Sequence, residues 1–222
     1  LPVDTSRYFP REAPAAVRSE YLPGEADRLI VHVSRFSNRK SRAALELLHA
    51  MPELLAKMPS ARLLLVGAGP EYPRIVAIAE ALNRRVGPVV RVEGPRLDLS
   101  DLFNLASVTI ATATTAMEAI ACGSPVIAAG RTGYLGLIDT ENLAQGLDLL
   151  FADHGYSPYR IDAGRLETDI LRVLRDEPAW RRTASILAAR MTADFTPRHA
   201  AENVLEIYRK FLRRETPALT GK

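Results

Sequence analysis

The sequence predicts an α/β protein: a parallel sheet with helices on both faces, followed by a helical C-terminal cover. Two observations carry this. Up to residue 140, short β-branched apolar runs alternate with longer segments whose apolar residues fall at helical spacing. The short runs are apolar throughout rather than alternating with polar residues, as befits strands buried on both faces.

Taken in order, "RLIVHVSRF" (28–36) reads as the first strand. "NRKSRAALELLHAMPELLAKM" (38–58) sets Leu45, Leu48, Leu54 and Leu55 on or near one helical face, and Pro52 is expected to kink or divide it. "ARLLLVGAG" (61–69) is a second strand, "PEYPRIVAIAEALNRR" (70–85) a second helix and "VVRVEG" (89–94) a third strand. "DLSDLFNLA" (98–106) is a short helix with Asp98 or Ser100 placed to cap it. "SVTIATA" (107–113) is the fourth strand, "TTAMEAIACG" (114–123) a helix closed by Gly123, and "SPVIAAG" (124–130) the fifth strand. Beyond residue 140 the strand signal weakens and helices are expected at 141–151, 163–175, 178–193 and 197–214. The organisation is thus a Rossmann-like domain at 28–195, entered through a segment at 1–27 and followed by a helix and tail at 196–222. There is no internal repeat.

Composition narrows the class. The 222 residues are 47% hydrophobic and 25% charged, ordinary for a soluble globular domain and enough for a full core. The formal net charge of +3 is mild. Arginines far outnumber lysines but are spread along helices, which reads as solvated faces rather than a nucleic-acid footprint. A single cysteine, Cys122, excludes an intramolecular disulfide and suits a reducing, cytoplasmic compartment. No apolar run approaches the roughly 18 residues a membrane span needs, and no signal peptide is evident. The opening "LPVDTSRYFP" has neither Met nor strand character, so the chain is expected to be a piece of something longer.

In such sheets ligands bind beyond the carboxyl ends of the strands. Arg35 and Lys40 follow the first strand, suited to gripping a phosphate, the one as a fork and the other as a point charge. Gly67 and Gly69 follow the second and would let backbone approach a ligand, but the third glycine of a dinucleotide fingerprint is missing. Gly94 lies in a Gly-Pro exit after the third strand, an ordinary turn or a flat surface for a base. Thr114, Thr115 and Ala116 open a helix whose free N–H groups and dipole make an anion site. Glu118 is a lone carboxylate among small apolar residues and must face a ligand, a cation or water; the vicinal hydroxyls of a ribose would satisfy it. His32 and His49 read as core or surface, as does His154 beside the cleft, and no spacing suggests a metal site.

These residues resemble the C-terminal, donor-binding domain of the family 4 retaining nucleotide-sugar glycosyltransferases, one half of their B-type, two-Rossmann fold. "PVDTSRYFP" resembles the linker entering that domain and "VSRFSNRKS" the motif G-R-L-x-x-x-K-G. "ARLLLVGAGPE" resembles the family's second strand and glycine turn, "EAIACGSPVIA" its E-A-M-A-C-G-x-P-V-I-A, and "FTPRHAAENVLEIYRKFL" its closing helix. The resemblance implies a UDP-, GDP- or ADP-sugar donor, no obligatory metal or cofactor, Arg35 and Lys40 on the diphosphate as catalytic residues, and Glu118 on the ribose. It implies that an N-terminal acceptor domain is missing from this chain, and a peripheral contact of the full-length protein with the inner membrane face. A stripe of Val204, Leu205, Tyr208, Phe211 and Leu212 is expected to be partly exposed, or covered by a second copy in a homodimer. The chain departs from the pattern at Ser34 and Ser41, which replace glycines, at Ala113 and Thr114, and at Ile110, where the first Glu of E-x7-E would stand. Two other readings stay open: a sugar-nucleotide epimerase of the same architecture, and a non-catalytic nucleotide-binding or regulatory module.

Overall fold

The computed structural model describes residues 1–214, so the last eight residues of the expected tail lie outside the described residues. The apolar runs form β1 (Arg28–Val33), β2 (Ala61–Val66), β3 (Val90–Glu93), β4 (Val108–Ala111) and β5 (Val126–Gly130). They pair in the order β3-β2-β1-β4-β5, all parallel. A further strand, β6 (Gly133–Leu137), folds back antiparallel onto β5 and was not foreseen. Its "GYLGL" offers little apolar alternation, and it becomes a strand by pairing with a neighbour already in place. β1, β2 and β4 stop two or three residues short of the ends of their apolar runs, where the chain turns into loops at the carboxyl edge of the sheet.

The helices are α1 (Ala15–Tyr21), α2 (Arg42–Lys57), α3 (Tyr72–Val86), α4 (Leu99–Leu105), α5 (Ala113–Ala121), α6 (Leu143–Asp148), α7 (Ala163–Arg175), α8 (Glu177–Asp194) and α9 (Pro197–Arg214). Pro52 does not divide α2. Leu47, Leu48, Met51 and Leu54 are all buried on either side of it, and that burial outweighs the one backbone hydrogen bond proline forfeits. The expected cap of α4 is also different. Arg96 takes the Asp98 carboxylate at 2.6 and 2.8 Å, and the Ser100 hydroxyl accepts from Arg11 at 2.8 Å, so neither side chain caps the helix.

Successive strand residues face opposite layers. Ile30, Leu63, Leu65, Ile110 and Ile127 pack with Leu47, Met51, Ile75 and Leu171 of α2, α3 and α7. Val31, Leu64, Val66 and Ala128 pack with Leu102, Phe103, Ile120 and Leu187 of α4, α5 and α8. The entry segment belongs to this second layer. Val3, Tyr8, Tyr21 and Leu22 are buried in it, and the Val3 N–H donates to the Phe195 carbonyl at 2.7 Å. By contrast, Val204, Leu205, Tyr208, Phe211 and Leu212 on α9 are each at least half exposed. No described helix is long and apolar enough to cross a membrane.

Candidate functional site

The strand order reverses between β1 and β4, so the carboxyl ends of these two strands flank the crevice where such sheets take ligands. His32 ties the two strands together just below it. Its buried Nδ1 donates to the Ile110 carbonyl at 2.8 Å, which leaves Nε2 to accept from the Ser34 hydroxyl at 2.9 Å. Burial pushes the imidazole pKa down to about 4, so the ring is a neutral core group, as expected.

After β1 the chain turns outward. Phe36 is fully buried and anchors the loop: its N–H donates to the Ala68 carbonyl at 2.9 Å, and its own carbonyl accepts from Glu71 at 3.0 Å. Gly67 and Gly69 serve this contact. A Cβ on Gly67 would lie 2.0 Å from the Ser34 carbonyl oxygen, and one on Gly69 2.3 Å from that of Phe36. One loop lying on another is thus reason enough for glycine at both positions. Gly94 has open space where a Cβ would go, so packing demands nothing of it.

The anchored loop holds Arg35 exposed and Lys40 half-buried on the rim of an open cavity of about 690 Å³. Ser37, Asn38, Arg39 and Arg131 complete its lining. Lys40 Nζ lies 3.1 Å from Oδ1 of the buried Asp153, and Arg131 Nη2 donates to the Asp153 carbonyl at 3.1 Å. Asp153 follows Leu150, Phe151 and Ala152, which have φ of 44°, 51° and 70°. This left-handed run is costly for side-chain-bearing residues, and tertiary contacts hold it. Phe151 is fully buried, and its carbonyl accepts from the Thr112 hydroxyl at 2.7 Å; the Leu150 carbonyl accepts from the Ala113 N–H at 3.0 Å. Sequence reasoning missed Asp153, Arg39 and Arg131. The only cue was "FADHG", where attention fell on His154, whose ring is 3.5 Å from Asp153 Oδ2 at the surface.

The same contacts shape the start of α5, one residue earlier than expected. Thr112 stands at the N-cap, but its hydroxyl is committed to Phe151 and makes no cap bond. The N–H groups of Thr114 and Thr115 in the first turn therefore have no acceptor among the described residues, which suits an incoming anion. Ala116 does not share this role. It is fully buried and its N–H already bonds the Thr112 carbonyl at 3.3 Å. Ala113, one of the departures from the family pattern, sits at φ 51°, a left-handed conformation that favours glycine.

Glu118, more than a full turn into α5, does not line the cavity. Burial raises its pKa, against the opposing influence of Arg7 and of a hydrogen bond from Tyr8. Arg7 also donates to the Leu97 carbonyl, so the entry segment joins the Gly94–Asp98 loop to the surroundings of Glu118. Cys122, one turn on, has its thiol pushed up to about 12 by burial, in keeping with a packed and unreactive side chain.

Comparison with known proteins decides the family. The model of the family described as "Glycosyl transferases group 1" matches residues 27–176, from the start of the sheet to the end of α7. The chain belongs to the group 1 glycosyltransferases. It is 30% identical over 167 residues to the N-acetyl-alpha-D-glucosaminyl L-malate synthase of Bacillus anthracis, covering 67% of this chain and 42% of that protein. It is 30% identical over 230 residues to the D-inositol 3-phosphate glycosyltransferase of Kineococcus radiotolerans, covering 94% of this chain and 50% of that one. This glycosyltransferase chain thus spans about half the length of these relatives. Among solved structures, the glycosyltransferase from Rickettsia africae superposes with a TM-score of 0.71 at 17% identity, covering 95% of this chain and 56% of that one. Anabaena Alr3699/HepE, solved in complex with UDP-glucose, gives 0.67 at 19% identity, covering 94% and 56%. These likenesses show the shared fold.

Within this family setting the departure at Ile110 has a structural form. Ile110 is fully buried within β4, and the chain passes from β4 to α5 through Thr112 alone. The β4–α5 connection is too short for a loop bearing a second carboxylate.

Proposed function

We propose that this chain is the donor-binding half of a retaining glycosyltransferase, taking a nucleoside diphosphate sugar whose glycosyl group passes to an acceptor hydroxyl. The observation that carries the reading is the juxtaposition at the switch point. A loop bearing Arg35, Arg39 and Lys40 follows β1, an uncapped helix N-terminus follows the neighbouring β4, and the 150–153 segment touches both, through Asp153 at Lys40 and Leu150 at Ala113. The diphosphate would lie between them. Arg35 and Lys40 would hold it and offset the negative charge that grows on it as the glycosidic bond breaks, and their preorganised charge would be the main catalytic contribution of this half. The N–H groups of Thr114 and Thr115 would add two fixed donors. Glu118 would accept from the ribose hydroxyls on the side lined by Arg7 and Leu97, with Gly94 leaving room nearby for the base. Anabaena Alr3699/HepE, which shares the fold and is solved with UDP and with UDP-glucose, supports this class of ligand. The acceptor domain, any peripheral membrane contact and any pairing of two copies through α9 belong to the same proposal.

One observation favours a second reading, a nucleotide-binding module without transfer activity: the direct passage from β4 to α5 removes the loop that would carry a carboxylate to the donor sugar. Calorimetric titration with UDP, GDP, ADP and their sugars tests the donor reading. Binding of one nucleotide series is expected, and Arg35→Ala should weaken it by roughly 1.5–3 kcal/mol, the worth of a charge-assisted hydrogen bond. Arg35 has no ion-pair partner among the described residues, so its loss should leave the fold alone. Equal affinity in parent and variant would remove Arg35 from the site.

A further inference from the structure

Behind the Arg35–Lys40 cavity lies a second space of about 380 Å³, lined by Arg39, Arg42, Arg131 and Arg160 together with Gly130, Thr132, Gly133 and Ile161. Its four guanidinium groups come from four separate places: the turn before α2, the first residue of α2, the β5–β6 turn and the segment leading to α7. Two of them donate to backbone carbonyls. Arg42 Nε donates to the Ile161 carbonyl at 3.2 Å, and Arg131 Nη2 to that of Asp153 at 3.1 Å. Glu46, 3.4 Å from Arg42, is the one carboxylate paired with any of these four arginines among the described residues.

The four arginines are exposed around an open cavity, and close approaches of the backbone shape its floor. At Gly130 a Cβ would lie 2.5 Å from the Ala152 carbonyl oxygen, and at Gly133, with φ 148°, it would lie 2.4 Å from the Tyr159 carbonyl oxygen. These glycines let the 152–160 segment settle on the β5–β6 hairpin, which brings Arg160 beside Arg131. Arg39, Arg131 and Arg160 have no carboxylate partner among the described residues, and like charges converging on one space give it a positive potential. Several planar forks arriving from different directions suit a compact, multiply charged oxyanion better than a planar carboxylate or an apolar group.

We propose that the cavity bounded by Arg39, Arg42, Arg131 and Arg160 is a second anion site that takes a phosphate monoester group. Arg39 and Arg131 line both cavities, so this phosphate would sit next to the donor diphosphate. That adjacency rests on the donor reading; the cluster of arginines does not. The phosphate would be carried either by a soluble co-substrate or by a lipid headgroup, and the recognition chemistry is the same.

The test is calorimetric titration of the chain with inorganic phosphate and with glycerol 3-phosphate, at constant ionic strength, with and without saturating UDP. Both should bind with UDP present. Arg160→Gln, and Arg42→Gln with Arg160→Gln, should weaken that binding roughly tenfold or more while UDP affinity moves by less than about threefold. Arg160→Gln alone leaves the Arg42–Ile161 bond intact, so it reports even if the double variant is unstable. Cosedimentation with phosphatidylcholine vesicles containing phosphatidic acid assigns the source. Retention lost in the variants points to a headgroup, and no retention to a soluble phosphate. Competition between UDP and phosphate, phosphate binding unaffected by the variants, or no phosphate binding at all overturns the proposal. A chain that binds phosphate through Arg160 but binds none of the nucleotides would retire the donor reading and leave this site standing.

Discussion

Lys40 cannot be removed without exposing a second charge, because Asp153 faces it at 3.1 Å from a buried position. Lys40→Ala is therefore expected to act twice. It should weaken nucleoside diphosphate binding by roughly 1.5–3 kcal/mol, and it should lower the melting temperature because a buried carboxylate loses its partner. Adding Asp153→Asn should restore much of the stability and none of the affinity; melting curves beside titrations separate the two effects. Glu118 offers the opposite balance. Its pKa is raised chiefly by burial, so the folded state binds its proton more tightly than the unfolded chain does. Stability from this group is therefore fully present below the ordinary glutamate pKa and lost as pH rises through the raised one. At pH 7 Glu118→Gln should leave the melting temperature unchanged or higher, with the difference shrinking in acid, while nucleotide affinity falls. A lower melting temperature with unchanged affinity would make Glu118 a structural brace.

At the scale of elements, the β4–α5 junction concentrates the departures from the resembling family. The strand gives way to the helix through Thr112, and Ala113 takes up a left-handed φ of 51° that a Cβ disfavours. Ala113→Gly should stabilise the chain by about 1 kcal/mol, since glycine relieves that conformation outside the regular helix interior. Denaturant unfolding measures this, and a loss of stability would show that the Ala113 methyl packs usefully. The junction also shows why α5 was legible and its first turn was not. Small residues and Gly123 at φ 75° announce the helix and its end. The diversion of the Thr112 hydroxyl to Phe151 depends on a segment nearly forty residues away. Strand β6 escaped for a similar reason, as its pairing partner is what makes "GYLGL" extended.

For the whole molecule the expectation is binding without transfer. Transferases of the architecture this chain resembles work in a cleft between two domains, and this chain spans about half the length of its relatives. Holding donor and acceptor together is worth roughly 7–11 kcal/mol of barrier, so residues 1–222 with a nucleotide sugar and an acceptor should turn over near background. Product analysis with labelled donor checks this, and robust acceptor-dependent transfer would mean a self-contained enzyme. The exposed apolar stripe of α9 is in keeping with a chain that meets another surface, whichever copy or domain supplies it.

The sequence by itself determined the parallel sheet and the alternation of helices on two faces, and it pointed to the loops after β1 and β4, at the edge where such sheets take ligands. Those follow from local periodicity and from the rule that connections emerge at the carboxyl ends of strands. Only the tertiary structure decided which charges meet. It brought Asp153 to Lys40 and seated the entry segment against Glu118. It also gathered Arg39, Arg42, Arg131 and Arg160, which look dispersed along the chain, around one cavity. The physical reason is range. Periodicity reports what each segment buries, whereas the partners of a charge are chosen by close approaches, such as those at Gly130 and Gly133, between segments far apart in sequence.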